Sequence, residues 1–175
     1  MQAPVRELLK RMITNRGRNL AEISTESPIL LVFLRHFGCQ FCRQGLDELS
    51  QKYLEFKNNG TALIFVHMAE YKVAEDYFTR FHLEGVEHIS DTSCRLYIDF
   101  GLMKGTFGQL FGLQTWIRGY NFQKQYGNEM GKHLGDSFQM PGIFVIHEQE
   151  IKERFIHKNV SDRPDYEKLI SCCAL

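Results

Sequence analysis

The 175-residue chain has no net charge, because 21 lysines and arginines balance 21 aspartates and glutamates. Binding nucleic acid through bulk charge needs a basic excess, and disorder pairs high net charge with few apolar residues. At 43% hydrophobic residues the chain fits neither description. Long apolar runs are also missing. The longest, "PILLVFL" at 28–34, is about a third of the roughly 20 residues that a spanning helix needs, so no membrane segment is expected. The first thirty residues contain the charged, amphipathic "RELLKRMITNRGRNL" and no apolar core ahead of a small-residue cleavage site, so secretion is not expected either. Repeats and low-complexity stretches are absent. The glycines of "GLMKGTFG" and "GNEMGKHLG" do not make a Gly-x-x-x-x-Gly-Lys-Ser/Thr phosphate loop, and the seven histidines show no His-x-x-x-His spacing. Cysteine is sparse and odd in number. Five in a chain of this length argue against a secreted disulfide framework and for a reducing, cytoplasmic compartment in which thiols act as ligands or redox groups.

What is present alternates between two periods. Residues 4–14 read as a helix, with Pro4 in its first turn and Gly17 closing the segment. "ILLVFLRH" is too uniformly apolar to alternate, which suits a central strand buried on both faces. Leu46, Leu49, Tyr53 and Phe56 recur at helical spacing between Cys42 and the "NNG" turn. "ALIFVH" at 62–67 is a second buried strand, "VAEDYFTRFHL" a second helix, and a short helix through "RLYIDFGL" follows "HISD". "GIFVIHEQEIKERFIH" predicts a hairpin of strands 142–147 and 151–157, and a last helix spans Pro164 to about Cys172. The first two strands are parallel with a right-handed crossover, the last two are antiparallel, and helices cover both faces. The expected fold class is therefore α/β with a thioredoxin-like central mixed sheet. It forms one domain over 1–175, with residues 1–20 as an N-terminal helical extension and 105–139 as an inserted helical segment before the final hairpin.

In "FLRHFGCQFCRQ", residues 33–44, Cys39 and Cys42 stand at C-x-x-C spacing where a buried strand meets a helix N-terminus. Unpaired N–H groups and the helix dipole favour an anion there, so a cysteine pKa falls toward neutrality. Arg35, His36 and Arg43 are near in sequence and add positive charge, and a second cysteine one turn away can resolve a mixed disulfide. A zinc tetrahedron needs two more ligands. The other close pair, Cys172–Cys173, is adjacent on a helix with side chains about 100° apart, so no metal is expected. Haem attachment needs histidine where Arg43 stands. Cys94 reads as a small core residue. The tail "CCAL" matches a prenylation box, but without a polybasic stretch it reads as a helix end. Pro141, in "QMPGIFVI", precedes an apolar strand at the place where thioredoxin-like folds carry a cis-proline facing the cysteines.

Three stretches, "PILLVFLRHFGCQFCRQGLDEL", "CRLYIDFGLMKGTFGQLFG" and "GDSFQMPGIFVIHEQEI", resemble the peroxiredoxin-like branch of the alkyl hydroperoxide reductase/thiol-specific antioxidant group, over about residues 20–170. The resemblance implies a thioredoxin-like fold and thiol redox activity, the reduction of a peroxide through a Cys39–Cys42 dithiol/disulfide. In peroxiredoxins the attacking cysteine closes a Thr-x-x-Cys stretch, which puts Cys42 in that role and Cys39 at the threonine position. In thioredoxins the attacker is the first cysteine, here Cys39, and the solvent-facing thiol is the one expected to attack. The chain departs from the peroxiredoxin pattern in two places. No proline opens the cysteine loop, and Gln139 or Met140 stands where an arginine would polarise the peroxide, leaving Arg35, Arg43 and Arg118 to replace it in space. No cofactor is expected. The partners expected are a peroxide or protein-disulfide substrate, a thioredoxin- or glutathione-type reductant and a second copy in a homodimer. Two other readings stay open: a protein disulfide reductase, and a non-catalytic binding module using 105–139, with Phe107, Phe111, Trp116, Tyr120 and Phe122, as its face.

Overall fold

A strand with apolar side chains at every position has to be covered on both sides, and β1 (Ile29–Phe33) is such a strand. In a computed structural model, which describes residues 4–112 and 135–173, all five of its residues are buried. Ile29, Leu31 and Phe33 belong to one core cluster and Leu30 and Val32 to another, as the two-residue side-chain period requires. β2 (Ala62–His67) pairs with β1 in parallel, Ile29 opposite Ala62 through Phe33 opposite Val66. β4 (Gly142–His147) pairs with it antiparallel on the other side, Ile29 opposite Ile146 through Phe33 opposite Gly142. β3 (Glu87–Ser90) extends the sheet parallel to β2, and β5 (Glu150–Ile156) closes it antiparallel to β4, giving the order β3-β2-β1-β4-β5. This is the expected mixed sheet.

One face is covered by α1 (Val5–Arg11), α2 (Leu20–Glu26) and α5 (Arg95–Asp99). Their Leu8, Leu9, Leu20, Ile23 and Tyr97 pack on Leu31, Phe33, Ile64 and Phe144. The other face is covered by α3 (Gln40–Asn58), α4 (Tyr71–Arg80) and α7 (Tyr166–Ser171). Leu46, Leu49, Phe56, Phe78 and Leu169 pack there on Leu30, Val32, Phe65 and Val145. α3 ends as "NNG" suggests: Gly60 adopts φ +71°, a left-handed conformation that suits glycine just beyond a helix end. A short α6 (Phe107–Phe111) lies near the cysteines.

Several boundaries differ from expectation, each for a local reason. α1 stops at Arg11 because Met12 turns extended and Ile13 bridges Asn19. Asn19 then caps α2, its side chain accepting the Glu22 N–H at 2.9 Å; seven residues are too few for the helical period to announce α2 in the sequence. α7 begins at Tyr166 rather than Pro164, because Asp165 caps it by accepting the Lys168 N–H at 3.0 Å. The Met140–Pro141 peptide is trans, not cis. Met140 donates its N–H to the Met103 carbonyl at 3.3 Å and the chain runs on into β4, an entry that suits the extended preference of a residue before proline. Of the 105–139 insertion, the described part holds α6 and an antiparallel bridge between Lys104 and Gln139; Trp116, Arg118, Tyr120 and Phe122 lie outside the described residues. Among the described residues no helix is long and apolar enough to cross a membrane.

Tyr97 ties α5 to the point where β1 gives way to the cysteine loop. The residue is fully buried, and its hydroxyl donates to the Leu34 carbonyl at 2.5 Å, with the Val66 carbonyl at 3.2 Å. Replacing Tyr97 with Phe removes that donor while keeping the ring. Urea unfolding of Tyr97→Phe is expected to show a loss of about 1–2 kcal/mol with an unchanged denaturant slope.

Candidate active site

The loop that carries the cysteines is anchored at both ends before it reaches them. Leu34 still donates its N–H to the Val66 carbonyl at 2.8 Å, as though β1 continued one residue. Phe37 is buried and stacks on Tyr77 of α4, ring centroids 4.6 Å apart, which pins the middle of the loop. The Cys39 N–H then donates to the His36 carbonyl at 3.0 Å, and the Arg43 N–H donates to the Cys39 carbonyl at 3.0 Å as the first helical bond. α3 therefore starts at Gln40, two residues before the expected Cys42. That makes Cys39 its N-cap and puts Cys42 in its first turn.

No disulfide joins the two thiols here, and both are buried, Cys39 at 6% and Cys42 at 9% exposure. The expected solvent-facing attacker is thus absent from this pair, which packs among Phe41, Leu110, Met140 and Val160. What distinguishes the two sulfurs is their partners. Arg35, itself only 7% exposed, donates from Nη1 to the Cys39 Sγ at 3.3 Å. The other edge of the guanidinium donates to the Ser137 carbonyl, from Nε at 2.8 Å and from Nη2. The Cys39 thiol is drawn well below the ordinary thiol range, first by the hydrogen bond from the Cys42 thiol and then, against the cost of burial, by the Arg35 charge and the Cys42 N–H. Cys42 moves up, because its proton is held by Cys39 and because it is buried beside that negative charge.

The remaining residues singled out in the sequence have definite places. His36 is buried and contributes its backbone: the carbonyl accepts from Cys39, and its N–H favours charge on Cys42. Arg43 is half-buried and supplies the first helical N–H. Pro141 lines, with Cys42, Phe41, Val160 and Tyr166, an apolar cavity of about 40 Å³. Gln139 is fully buried as a structural residue, its amide donating to the Leu102 carbonyl at 2.9 Å. Cys94 is half-buried with its Sγ 3.2 Å from the Met68 sulfur. Cys172 and Cys173 do not diverge as helical neighbours would. α7 ends at Ser171 and the two sulfurs lie 3.5 Å apart.

Two contributors had no sequence signal. Ser137 acts through a backbone carbonyl, which every residue possesses. Arg163 reaches back to donate to the Phe41 carbonyl at 3.2 Å and to Gln44, holding the first turn of α3 from 119 or more residues away.

No family model matches the chain. It is 25% identical over 165 residues to a prostamide/prostaglandin F synthase of Danio rerio, a match covering 92% of this chain and 81% of that one. Among solved structures, peroxidoxin BcpB from Mycobacterium tuberculosis superposes with a TM-score of 0.62 at 12% identity, covering 92% of this chain and 88% of its own. A candidate thiol:disulfide interchange protein DsbE from Chlorobium tepidum does so at 0.59 and 15% identity, covering 94% and 92%. The chain therefore has the thioredoxin-like fold shared by the peroxiredoxins and a thiol:disulfide interchange protein.

Site-resolved alkylation with iodoacetamide should find Cys39 labelled with a pH midpoint well below the ordinary thiol value of about 8.5. Because the depressed group is the thiolate, labelling is at its plateau above that midpoint and falls as pH drops through it. Arg35→Met should raise the midpoint by about one unit and slow labelling about tenfold at pH values below both midpoints, near pH ~4.

Proposed function

We propose that the protein is a thiol-dependent oxidoreductase that reduces peroxides, with Cys39 as the attacking thiolate and Cys42 as the resolving thiol. The observation that carries this reading is the buried Arg35 guanidinium on the Cys39 sulfur beside a Cys42 thiol that keeps its proton. The roles are those of a thioredoxin C-x-x-C, opposite to the peroxiredoxin alignment that would make Cys42 the attacker. Arg35, supplied by the end of β1, takes the part of the arginine that Gln139 and Met140 do not provide.

In the first step the Cys39 thiolate attacks one peroxide oxygen and the O–O bond breaks. Cys39 becomes a sulfenic acid, and the other oxygen leaves as an alkoxide that takes a proton from solvent. Developing negative charge on that oxygen lies near the Arg35 N–H groups, which act as an electrostatic stabiliser. In the second step Cys42 gives up its proton and attacks the Cys39 sulfur. A disulfide forms, and the departing hydroxide takes that proton as water. An external thioredoxin-type dithiol, or two glutathione-type monothiols, then returns two electrons, which fits a reducing cytoplasm as the working compartment.

Burial favours a peroxide over a protein disulfide as substrate. A hydroperoxide group is two oxygens long and can reach the sulfur of a residue only 6% exposed, whereas the backbone of a folded partner must come to within disulfide distance. The likeness to a prostamide/prostaglandin F synthase adds prostaglandin-type compounds to the substrates worth testing.

Stopped-flow mixing of the reduced protein with hydrogen peroxide and with an organic hydroperoxide is expected to show oxidation faster than that of a free thiol. Cys39→Ser should abolish it, Cys42→Ser should accumulate a trappable sulfenate, and Arg35→Met should slow it by about a hundredfold. Reaction with peroxide no faster than a free thiol, together with rapid reduction of a model protein disulfide, would assign the protein as a disulfide reductase instead.

A further inference from the structure

Arg35 is aimed at Cys39 by whatever holds the opposite edge of its guanidinium, and that edge rests on the carbonyl of Ser137, 102 residues away. Ser137 sits in a turn built by its neighbour. The Asp136 carboxylate accepts the Phe138 N–H at 2.8 Å, and the Asp136 carbonyl accepts the Gln139 N–H at 3.2 Å. The same carboxylate pairs with Lys104 Nζ at 2.7 Å. Lys104 belongs to the strip of chain that faces the turn. Gly105 donates to the Phe138 carbonyl at 2.6 Å and Met140 to the Met103 carbonyl at 3.3 Å, while Lys104 and Gln139 form the bridge between them. Asp136 is thus held inside its own turn and across to that strip. Its carboxyl is lowered first by Lys104, then by the Phe138 N–H, with the Arg35 charge a smaller contributor.

We propose that Asp136 is a positioning residue for the candidate active site: by gripping the Phe138 N–H and Lys104 it fixes the 136–139 turn so that the Ser137 carbonyl aims Arg35 at the Cys39 sulfur. The inference rests on the reading of Cys39 as the attacking thiolate. It also accounts for the late segment "GDSFQM". Instead of carrying a substrate-polarising arginine, the segment carries a carbonyl that holds an arginine delivered from the end of β1.

Electrostatics separates this role from a mere nearby charge by sign. A carboxylate acting only through space opposes a thiolate, so neutralising it would lower the Cys39 pKa. A carboxylate that positions Arg35 does the reverse, and its loss raises the pKa. The test is the pH profile of Cys39 alkylation in the full chain, read by mass spectrometry. It compares wild type, Asp136→Asn, Asp136→Ser and Asp136→Glu, with Arg35→Met as reference and thermal unfolding recorded for each.

Asp136→Asn and Asp136→Ser are expected to raise the midpoint and slow labelling near pH ~4, below the midpoints, by about three- to tenfold, with Asp136→Glu recovering part of the loss. Two substitutions guard against one of them failing to fold. An unchanged or lowered midpoint in the folded Asp136 variants, with Arg35→Met raising it, overturns the positioning role and leaves the thiolate reading intact. An unchanged midpoint in Arg35→Met overturns the part of Arg35 in stabilising the thiolate, and this inference with it, whereas a wild-type midpoint in the ordinary thiol range overturns the thiolate reading itself.

Discussion

A guanidinium cannot be neutralised at any ordinary pH, so burying one obliges the fold to surround it with acceptors. Arg35 is buried in this way, and its two edges are met by different kinds of group: a main-chain carbonyl on one side and a sulfur on the other. A neutral thiol is a weak acceptor and a thiolate a strong one, so the arginine and the ionised Cys39 stabilise each other inside a shell of Phe41, Leu110, Met140 and Val160 that keeps water from screening them. The rest of the site follows from that pairing. Cys42, one turn along α3, is left as the proton donor, and the segment around residue 137 has to stay packed against the end of β1.

The sheet contributes by bringing distant residues to one edge. Phe33 at the end of β1 lies opposite Gly142 at the start of β4, so the chain leaving β1 and the chain arriving at β4 meet. Arg35 comes from the first and Ser137, Met140 and Pro141 from the second. Parallel pairing with β2 carries the return of α3 across the opposite face, where Leu46 and Leu49 bury its length against Leu30 and Val32. The helix start that carries the cysteines is therefore fixed from both directions, by its own hydrophobic stripe and by Arg163 clasping the Phe41 carbonyl.

How far the sequence could be read depends on whether the governing interaction is periodic or local. β1, β2, β4 and α3 declare themselves because burial repeats along them, and the C-x-x-C stands out through its place at a strand-to-helix junction, where the structure puts it. α2 escapes because seven residues held by the Asn19 cap contain barely two turns. Pro141 was expected in cis by fold analogy, yet bonding between Met140 and Met103 leads into β4 with a trans peptide. The choice between Cys39 and Cys42 was open for a deeper reason. Spacing places both near the helix terminus, and the difference between them is made by which sulfur accepts the other's hydrogen bond and by Arg35, whose direction is set by a carbonyl from a residue 102 positions away. No linear pattern encodes a main-chain acceptor. The legible part of the candidate site is thus its two thiols, and the hidden part is what orients the groups around them.

A guanidinium that favours one thiolate also changes the balance between the two oxidation states. It stabilises the dithiol form, where the charge exists, and gives nothing comparable to the disulfide, where the sulfur is neutral. Each 1.4 kcal/mol of such stabilisation raises the reduction potential of a two-electron couple by about 30 mV. For a Cys39–Cys42 couple of the kind proposed, the arrangement around Cys39 therefore shifts the potential toward the oxidising direction, which favours electron flow from a dithiol to its disulfide.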